Sequence, residues 1–448
     1  MKHLIILFVL FISFSSCKKF LDEKPDASLV VPSSLDDLQK LLDRNQIMNT
    51  TAGCMGESSA DNYYLKDADW TGLSEQYKNL YAWGDEIFFD QFGNDWSNNY
   101  SIVYYANLVL EYLDKIPFAQ NEQEKWNNLK GSALLFRGKA FSYLVQTYSK
   151  AWDENSSSTD LGIPLRLDAD FNKPSVRASV QQSYQQAIAD LTEAIKYLPV
   201  SPVHKMRPSR PAAYAFLART YLSMRDYNKA QLYADSCLQL YNSLLNYNSL
   251  TASASFPVAA YNDEVVMHTL SNVPTTLSQS KAKVDSILYN SYAANDLRKT
   301  VFFKSNGDGT YAYKGSYTGS TTFFTGIAVD EIFLIRAECF ARLGNVVAAM
   351  NDLNTVMIKR WKTGTFVPFA ASTVQQAVSV ILSERRKELP FRDLRWSDIK
   401  RLNKEGETIS VSRKLNGQQL QLSPNDPRFA LPLPRNVIAL TGMPQNPR

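Results

Sequence analysis

Histidine is almost missing from this chain. Its 448 residues include 3, one of them His3 in the opening segment. Metal centres and acid–base pairs built on imidazole have little material here. Cysteine is equally sparse. The 4 residues, Cys17, Cys54, Cys237 and Cys339, form no CxxC pair, so neither a disulfide framework nor a zinc site is indicated. Excess charge of one sign is lacking as well. Lys+Arg 48 against Asp+Glu 44 leaves +4, without a basic run, which argues against an electrostatic nucleic-acid binder. HExxH, GxSxG, GxGxxG and GxxxxGK[ST] are absent. Past the N-terminus, no apolar run approaches the roughly 20 residues of a spanning helix. His204 and His268 read as structural residues.

What the chain has is aromatic surface: 24 Tyr, 23 Phe and 7 Trp. It also has an address. Lys2, the apolar run Leu4–Phe14 and the small Ser15 and Ser16 make residues 1–16 a signal peptide. Ser15-Ser16-Cys17 resembles a bacterial lipobox, with Phe14 where Leu is usual. Cys17 is therefore the expected lipidation site, at the head of a polar lead over 17–34. Acyl chains there would tether the protein to a membrane.

Organisation follows from periodicity. Leu35, Leu38, Leu41 and Leu42 share one helical face behind a Ser34 cap. Gly53–Gly93 shows no sustained period and reads as irregular. Helices are expected from Trp96 towards Pro117, over Leu134–Tyr148 and over Val180–Leu198, with Ile163–Leu165 extended. Arg210–Leu240 reads as a helical hairpin. Ala218, Tyr221 and Ala230 resemble the small–aromatic–small pattern of a tetratricopeptide unit. Ala337, Phe340 and Ala349 repeat those offsets, with Gly344 at the turn. The expected regions are a helical one over 35–240, a loop-rich insertion over 241–329 and a C-terminal one over 330–448. Val301–Phe303 and Tyr311–Tyr313 flank a turn, Ser305–Thr310. Val374–Leu389 is the last amphipathic helix. The charged run Glu384–Arg401 interleaves both signs and reads as internal ion pairs. Cys237 and Cys339 read as small core residues.

The loop aromatics are the candidate binding residues: Asp61, Asn62, Tyr63, Tyr64, Trp70, Trp83 and Trp96 in one stretch, Tyr289, Tyr292 and Tyr313 in the insertion, with Tyr311 and Tyr317 beside them. Sugar rings pair apolar C–H faces with polar edges, and an aromatic ring beside Asp or Asn suits both. A peptide would suit the same surface. Packing of loops onto a helical body is the competing use of each ring.

Several of these pieces together resemble the RagB/SusD family of outer-membrane nutrient-binding lipoproteins. They are Cys17-Lys-Lys-Phe-Leu-Asp22 with Pro25, Ser59-Ala-Asp61, Trp96 to Asn107, Arg137 to Leu144, Arg177 to Pro199, and Glu384-Arg385-Arg386 through Arg395-Trp396. Leu431-Pro-Leu-Pro434 and Gln445-Asn446-Pro447 are similar to the family's ending. Pro390 and Arg392-Asp393 depart from its pattern. The resemblance implies a mainly α fold with tetratricopeptide-like hairpins and no catalytic activity; with so little histidine and cysteine, no cofactor and no metal site are expected. It implies a cell outer membrane location, facing outwards. It also implies a TonB-dependent outer-membrane transporter as partner, fed with captured oligosaccharide or peptide. The rival readings are a tetratricopeptide-type interaction scaffold and a glycoside hydrolase working through paired carboxylates.

Overall fold

The computed structural model describes residues 31–50, 53–88 and 94–448. The expected signal peptide, Cys17 and the lead as far as residue 30 lie outside them. Helix starts are set by short polar side chains. The Ser34 side chain accepts from the Asp37 amide ahead of α1 (Leu35–Leu42), which buries Leu35, Leu38 and Leu42. The one-turn α2 (Asn45–Met48) follows. The stretch expected to be irregular holds three short helices, α3 (Met55–Ser59), α4 (Asp67–Thr71) and α5 (Glu75–Tyr81), and a two-residue strand, β1 (Tyr63–Tyr64). None exceeds two turns, so no period accumulates along the sequence.

The long helices come next. α6 (Asp95–Leu113) opens on a capping box between Asn94 and Ser97. α7 (Gln123–Tyr148) starts at Gln123, well before the expected Leu134. Strands β2 (Leu161–Pro164) and β3 (Arg177–Ser179) pair antiparallel. They lead into α8 (Val180–Tyr197), boxed by Ser179 and Gln182. Gly138 lets α7 and α8 approach closely. A Cβ there would lie 2.9 Å from Leu191 Cγ and 3.0 Å from the Ala187 carbonyl oxygen.

The first hairpin is α9 (Arg210–Met224) and α10 (Tyr227–Leu240), begun by the Ser209 and Asp226 caps. The insertion then carries β4 (Val265–Met267), β5 (Leu270–Ser271), β6 (Lys283–Val284), α11 (Ser286–Asn290) and α12 (Arg298–Phe302). It continues through β7 (Phe303–Ser305), β8 (Tyr311–Tyr313), β9 (Phe323–Phe324) and β10 (Ile327–Ala328). The hairpin around Ser305–Thr310 is present, but its first strand begins at Phe303, because Val301 and Phe302 form the end of α12. α13 (Val329–Arg342) and α14 (Val346–Met357) form the second helical hairpin, with Gly344 at φ +88° in the turn. Ala218, Ala230, Ala337 and Ala349 are all fully buried.

The two hairpins are neighbours in space despite the insertion. α10 packs on α13. Arg336 of α13 donates to Asp235 of α10 at 2.6 Å and to Asp352 of α14 at 2.8 Å. The helical stack thus runs on while the insertion loops out and returns.

The C-terminal part is α15 (Val374–Glu388), α16 (Arg395–Asn403), the hairpin β11 (Val411–Leu415) with β12 (Gln418–Leu422), and α17 (Arg435–Thr441). The molecule is mainly α, as expected. All six ladders among the described residues are two-stranded. No described helix is long and apolar enough to cross a membrane. The Glu384–Arg401 run forms internal ion pairs. Arg401 holds Glu338 with 2.6 and 2.8 Å bonds and Asp398 at 2.8 Å, and Arg385 holds Asp398 at 2.9 Å. Apolar side chains gather in two clusters. One fills the helical stack. The other, around Tyr63, Tyr81, Tyr292, Phe303 and Tyr313, underlies the insertion and the 54–82 segment.

Candidate functional site

Two segments far apart in sequence meet at one surface. Tyr64 pairs with Lys283 across β1 and β6, and β6 lies beside β8. Lys66 reaches Asp308, in the turn between β7 and β8, at 2.7 Å. That turn needs glycine: Gly307 and Gly309 have φ of +84° and +80°. Lys283 comes within 4.0 Å of Asp69.

Strand alternation decides which rings this surface shows. Tyr63 points inward and Tyr64 outward, 36 % exposed. Trp70, on α4, is half-buried, with the Lys78 ammonium 5.7 Å from its ring centre. Its indole N–H has no hydrogen-bond partner. Tyr289 and Tyr311 are half-buried and stacked, centroids 3.5 Å apart and planes 14° apart. Lys299 lies 4.8 Å from the Tyr289 ring centre. The result is a ledge of Tyr64, Trp70, Tyr289 and Tyr311 edged with lysines. The aromatic positions were legible in the sequence; the lysines that frame them were not, since single lysines carry no pattern.

The other candidates belong to the framework. Tyr63 is 2 % exposed and donates to the Ser58 carbonyl at 2.7 Å. Trp83 sits at φ +57°, buried, with its indole N–H 3.0 Å from the Ser59 carbonyl. Trp96 packs edge-on against Tyr148 at 5.1 Å. Tyr292 donates to the Lys387 carbonyl at 2.7 Å, and Tyr313 stacks on Phe391 at 4.5 Å. Tyr317 is buried and bonds Tyr247 at 2.7 Å. Asn62 is buried and donates to Glu57 at 2.9 Å. Burial leaves Tyr63, Trp83, Tyr292 and Tyr313 little surface to offer a ligand, whereas Asn62 borders a groove along α15 and Trp96 a pocket beside Tyr100. Asp61 is bound by Arg395 at 2.6 and 2.8 Å and approached by Arg386 at 3.3 Å. Burial would raise its carboxyl, but the two guanidinium groups prevail and hold it well below the usual range.

Glu264, Asp330 and Glu388 bring carboxylate oxygens within 4.8 Å of one another, a spacing a metal ion could use. Their oxygens are already engaged. Arg360 bonds Glu264 at 2.5 Å and Glu388 at 2.6 Å, Arg392 bonds Asp330 at 3.0 Å, and Arg298 bonds Glu388 at 3.1 Å. These cations supply the compensating charge, so the residues do not fit a metal centre. His268 packs at a tilt against Tyr261, ring centres 4.5 Å apart, and burial, with His204 nearby, lowers it to about 4.

The groove along α15, of about 780 Å³, is lined by Val374, Val378 and Leu382 of that helix with Ile287 and Tyr227. A smaller pocket of about 320 Å³ lies between Tyr100, Tyr104 and Phe171.

Fold and surface together define a helical-hairpin scaffold that displays an aromatic, lysine-edged ledge. The model of the SusD family matches residues 177–437, and a second family model, described as "Starch-binding associating with outer membrane", matches residues 19–222. The chain belongs to the SusD family. It is 22 % identical over 522 aligned positions to SusD-like protein P2 of Formosa agariphila, covering 100 % of this chain and 99 % of that one. A SusD superfamily protein of Bacteroides thetaiotaomicron superposes with a TM-score of 0.74 at 21 % identity, over 93 % of this chain and 100 % of its own. A SusD-like carbohydrate binding protein of Bacteroides vulgatus does so at 0.66 and 21 %, over 88 % and 89 %. At these identities the likeness is one of fold.

Proposed function

We propose that this protein is an outer-membrane lipoprotein, tethered through Cys17 and facing outwards, that captures oligosaccharide and hands it to a TonB-dependent transporter. The observation that carries the reading is the ledge. Strand pairing and the Lys66–Asp308 contact bring the segment of Tyr64 and Trp70 beside that of Tyr289 and Tyr311, and all four rings keep some exposure. Flat rings offer contact to the C–H faces of pyranose rings, and the lysine and aspartate edges meet hydroxyls. The name of the Bacteroides vulgatus relative, a carbohydrate binding protein, points the same way, as does the family description that joins starch binding to the outer membrane. The work is binding and delivery. No bond is made or broken, and transport energy comes from the partner.

A glycan and peptide array, followed by calorimetry, tests this. Oligosaccharide binding without turnover is expected. Trp70→Ala and Tyr289→Ala should each weaken it about 3–10-fold, in line with the roughly 0.5–1.5 kcal/mol of an aromatic contact. Phe171→Ala, on the remote pocket, should leave it unchanged. Peptide binding alone would replace the ligand class. Hydrolysis of a bound glycan, or binding indifferent to both ledge substitutions, would overturn the reading.

A further inference from the structure

Lys139 is the odd charge of the interior. It stands in the middle of α7, 8 % exposed, and no described carboxylate or carbonyl accepts from its ammonium group. Every other buried lysine among the described residues is engaged: Lys400 donates to the Gln146 and Ser149 carbonyls, Lys387 to Glu384, Lys314 to the Ala252 and Ala254 carbonyls, and Lys283 to the Ser280 carbonyl. An isolated buried cation is costly, so an unengaged one needs a partner.

Lys139 lines a partly open cavity of about 50 Å³ bordered by α7, α9, Asn99 of α6 and the loops at Gly53, Thr325 and Arg392–Leu394. Two guanidinium groups line it too. Arg219 spends Nε and Nη2 on Glu331 and the Gly326 carbonyl, which leaves Nη1 uncommitted. Arg392 pairs with Asp330, and its Nη2, 2.8 Å from an Asp330 oxygen, is off hydrogen-bonding geometry. Glu331 and Asp330 balance the two arginines, and no described carboxylate pairs with Lys139. The one carboxyl on the cavity wall is Asp393. Burial, with Asp95 and Glu57 nearby, pushes it well above the usual range, which disfavours its charged form, and it makes no hydrogen bond to Lys139. The cavity wall therefore brings together two nitrogen donors, Lys139 Nζ and Arg219 Nη1, that no described carboxylate engages.

We propose that this cavity is a binding site for a small monovalent anion, with chloride as the occupant, seated between the Lys139 ammonium and the Arg219 guanidinium. The space is small, about 50 Å³ open to the centre of a water-sized particle, which suits a single small ion. Ser142 and Asn99 are on the wall as further polar contacts. Without an anion, burial and the neighbouring Arg219 push the amine down to about 7. With one, the ammonium form is restored and α7 is tied to α9. The site is independent of the glycan ledge.

Bromide substitutes for chloride and scatters anomalously. Crystals of the protein soaked in bromide should show an anomalous peak in contact with Lys139 Nζ. The unfolding midpoint should rise with chloride relative to gluconate at matched ionic strength, as expected when a ligand binds only the folded state. Lys139→Met should abolish that rise. Should that variant fail to fold, the bromide map of the unsubstituted protein decides. A cavity with no bromide peak, holding water alone, overturns the proposal whatever the midpoint does.

Discussion

Replacing Arg401 with Met removes the pin between α16 and α13. Arg401 is 1 % exposed and makes two bonds to Glu338 and one to Asp398. Both carboxyls stay ionised in the fold. Burial opposes that, but Arg385 and Arg401 outweigh it and bring Asp398 down to about 2, and Arg401 and Arg342 lower Glu338. The Met side chain fills much of the space and supplies no charge. Glu338 keeps Arg342 at 2.9 Å and Asp398 keeps Arg385, so each carboxylate loses one cation and neither is stranded. Breaking a buried pair from one side costs about 3–5 kcal/mol, and the surviving arginines put the expected loss at the lower end, about 3 kcal/mol. Urea denaturation at pH 7 measures it. Acid supplies a second reading. Asp398 has its folded value lowered, so its stabilisation is complete above about 4 and is lost as pH falls towards 2, amounting to about 2–3 kcal/mol. In the variant this acid-sensitive share should shrink. A loss under about 1 kcal/mol, with an unchanged acid transition, would refute the claim that these pairs are net attractive.

Other outcomes follow from the same geometry. Glu57 is fully buried, and desolvation lifts it to about 7. A raised carboxyl destabilises on ionising, so stability should fall by about 3 kcal/mol as pH climbs from about 4.5 through 7. Glu57→Gln should flatten that slope in urea titrations at pH 5 and pH 8. Ala230→Leu forces a larger side chain into the fully buried contact of α9 with α10 and should cost about 1–3 kcal/mol by thermal unfolding. A Cβ at Gly162 would lie 2.3 Å from the Ser179 carbonyl oxygen, so Gly162→Ala should part β2 from the start of α8 and lower the midpoint by a similar free energy.

The helical frame was largely legible in the sequence. Ser34, Ser179 and Asp226 announce helix starts because an N-cap is a local bond, readable within four residues. Ala218, Tyr221 and Ala230 announce a hairpin for the same reason. Which loop aromatics face outward was not legible. Tyr63 and Tyr64 are adjacent and chemically alike, and their opposite fates are set by pairing with Val284 and Lys283, over two hundred residues away. Trp83 is turned inward by a backbone at φ +57°, which composition does not foretell. The first turns of α7 were missed because residues 123–133 are mostly polar; Trp126 and Leu129 join the core only once α6 and α8 surround them. The β11–β12 turn carried a readable signal, Asn416-Gly417 between alternating residues, both with positive φ.

The ledge rests on an apolar cluster of its own, joined to the cluster of the helical stack through side chains such as Tyr77 and Leu420. Substitutions on the ledge therefore fall far from the α7–α8–α9 packing, and effects at distant sites add with little coupling. The exposed face behaves as a replaceable panel on a fixed chassis. Its recognition chemistry is free to diverge under selection while the frame continues to fold, and a grafted set of loops would inherit that frame.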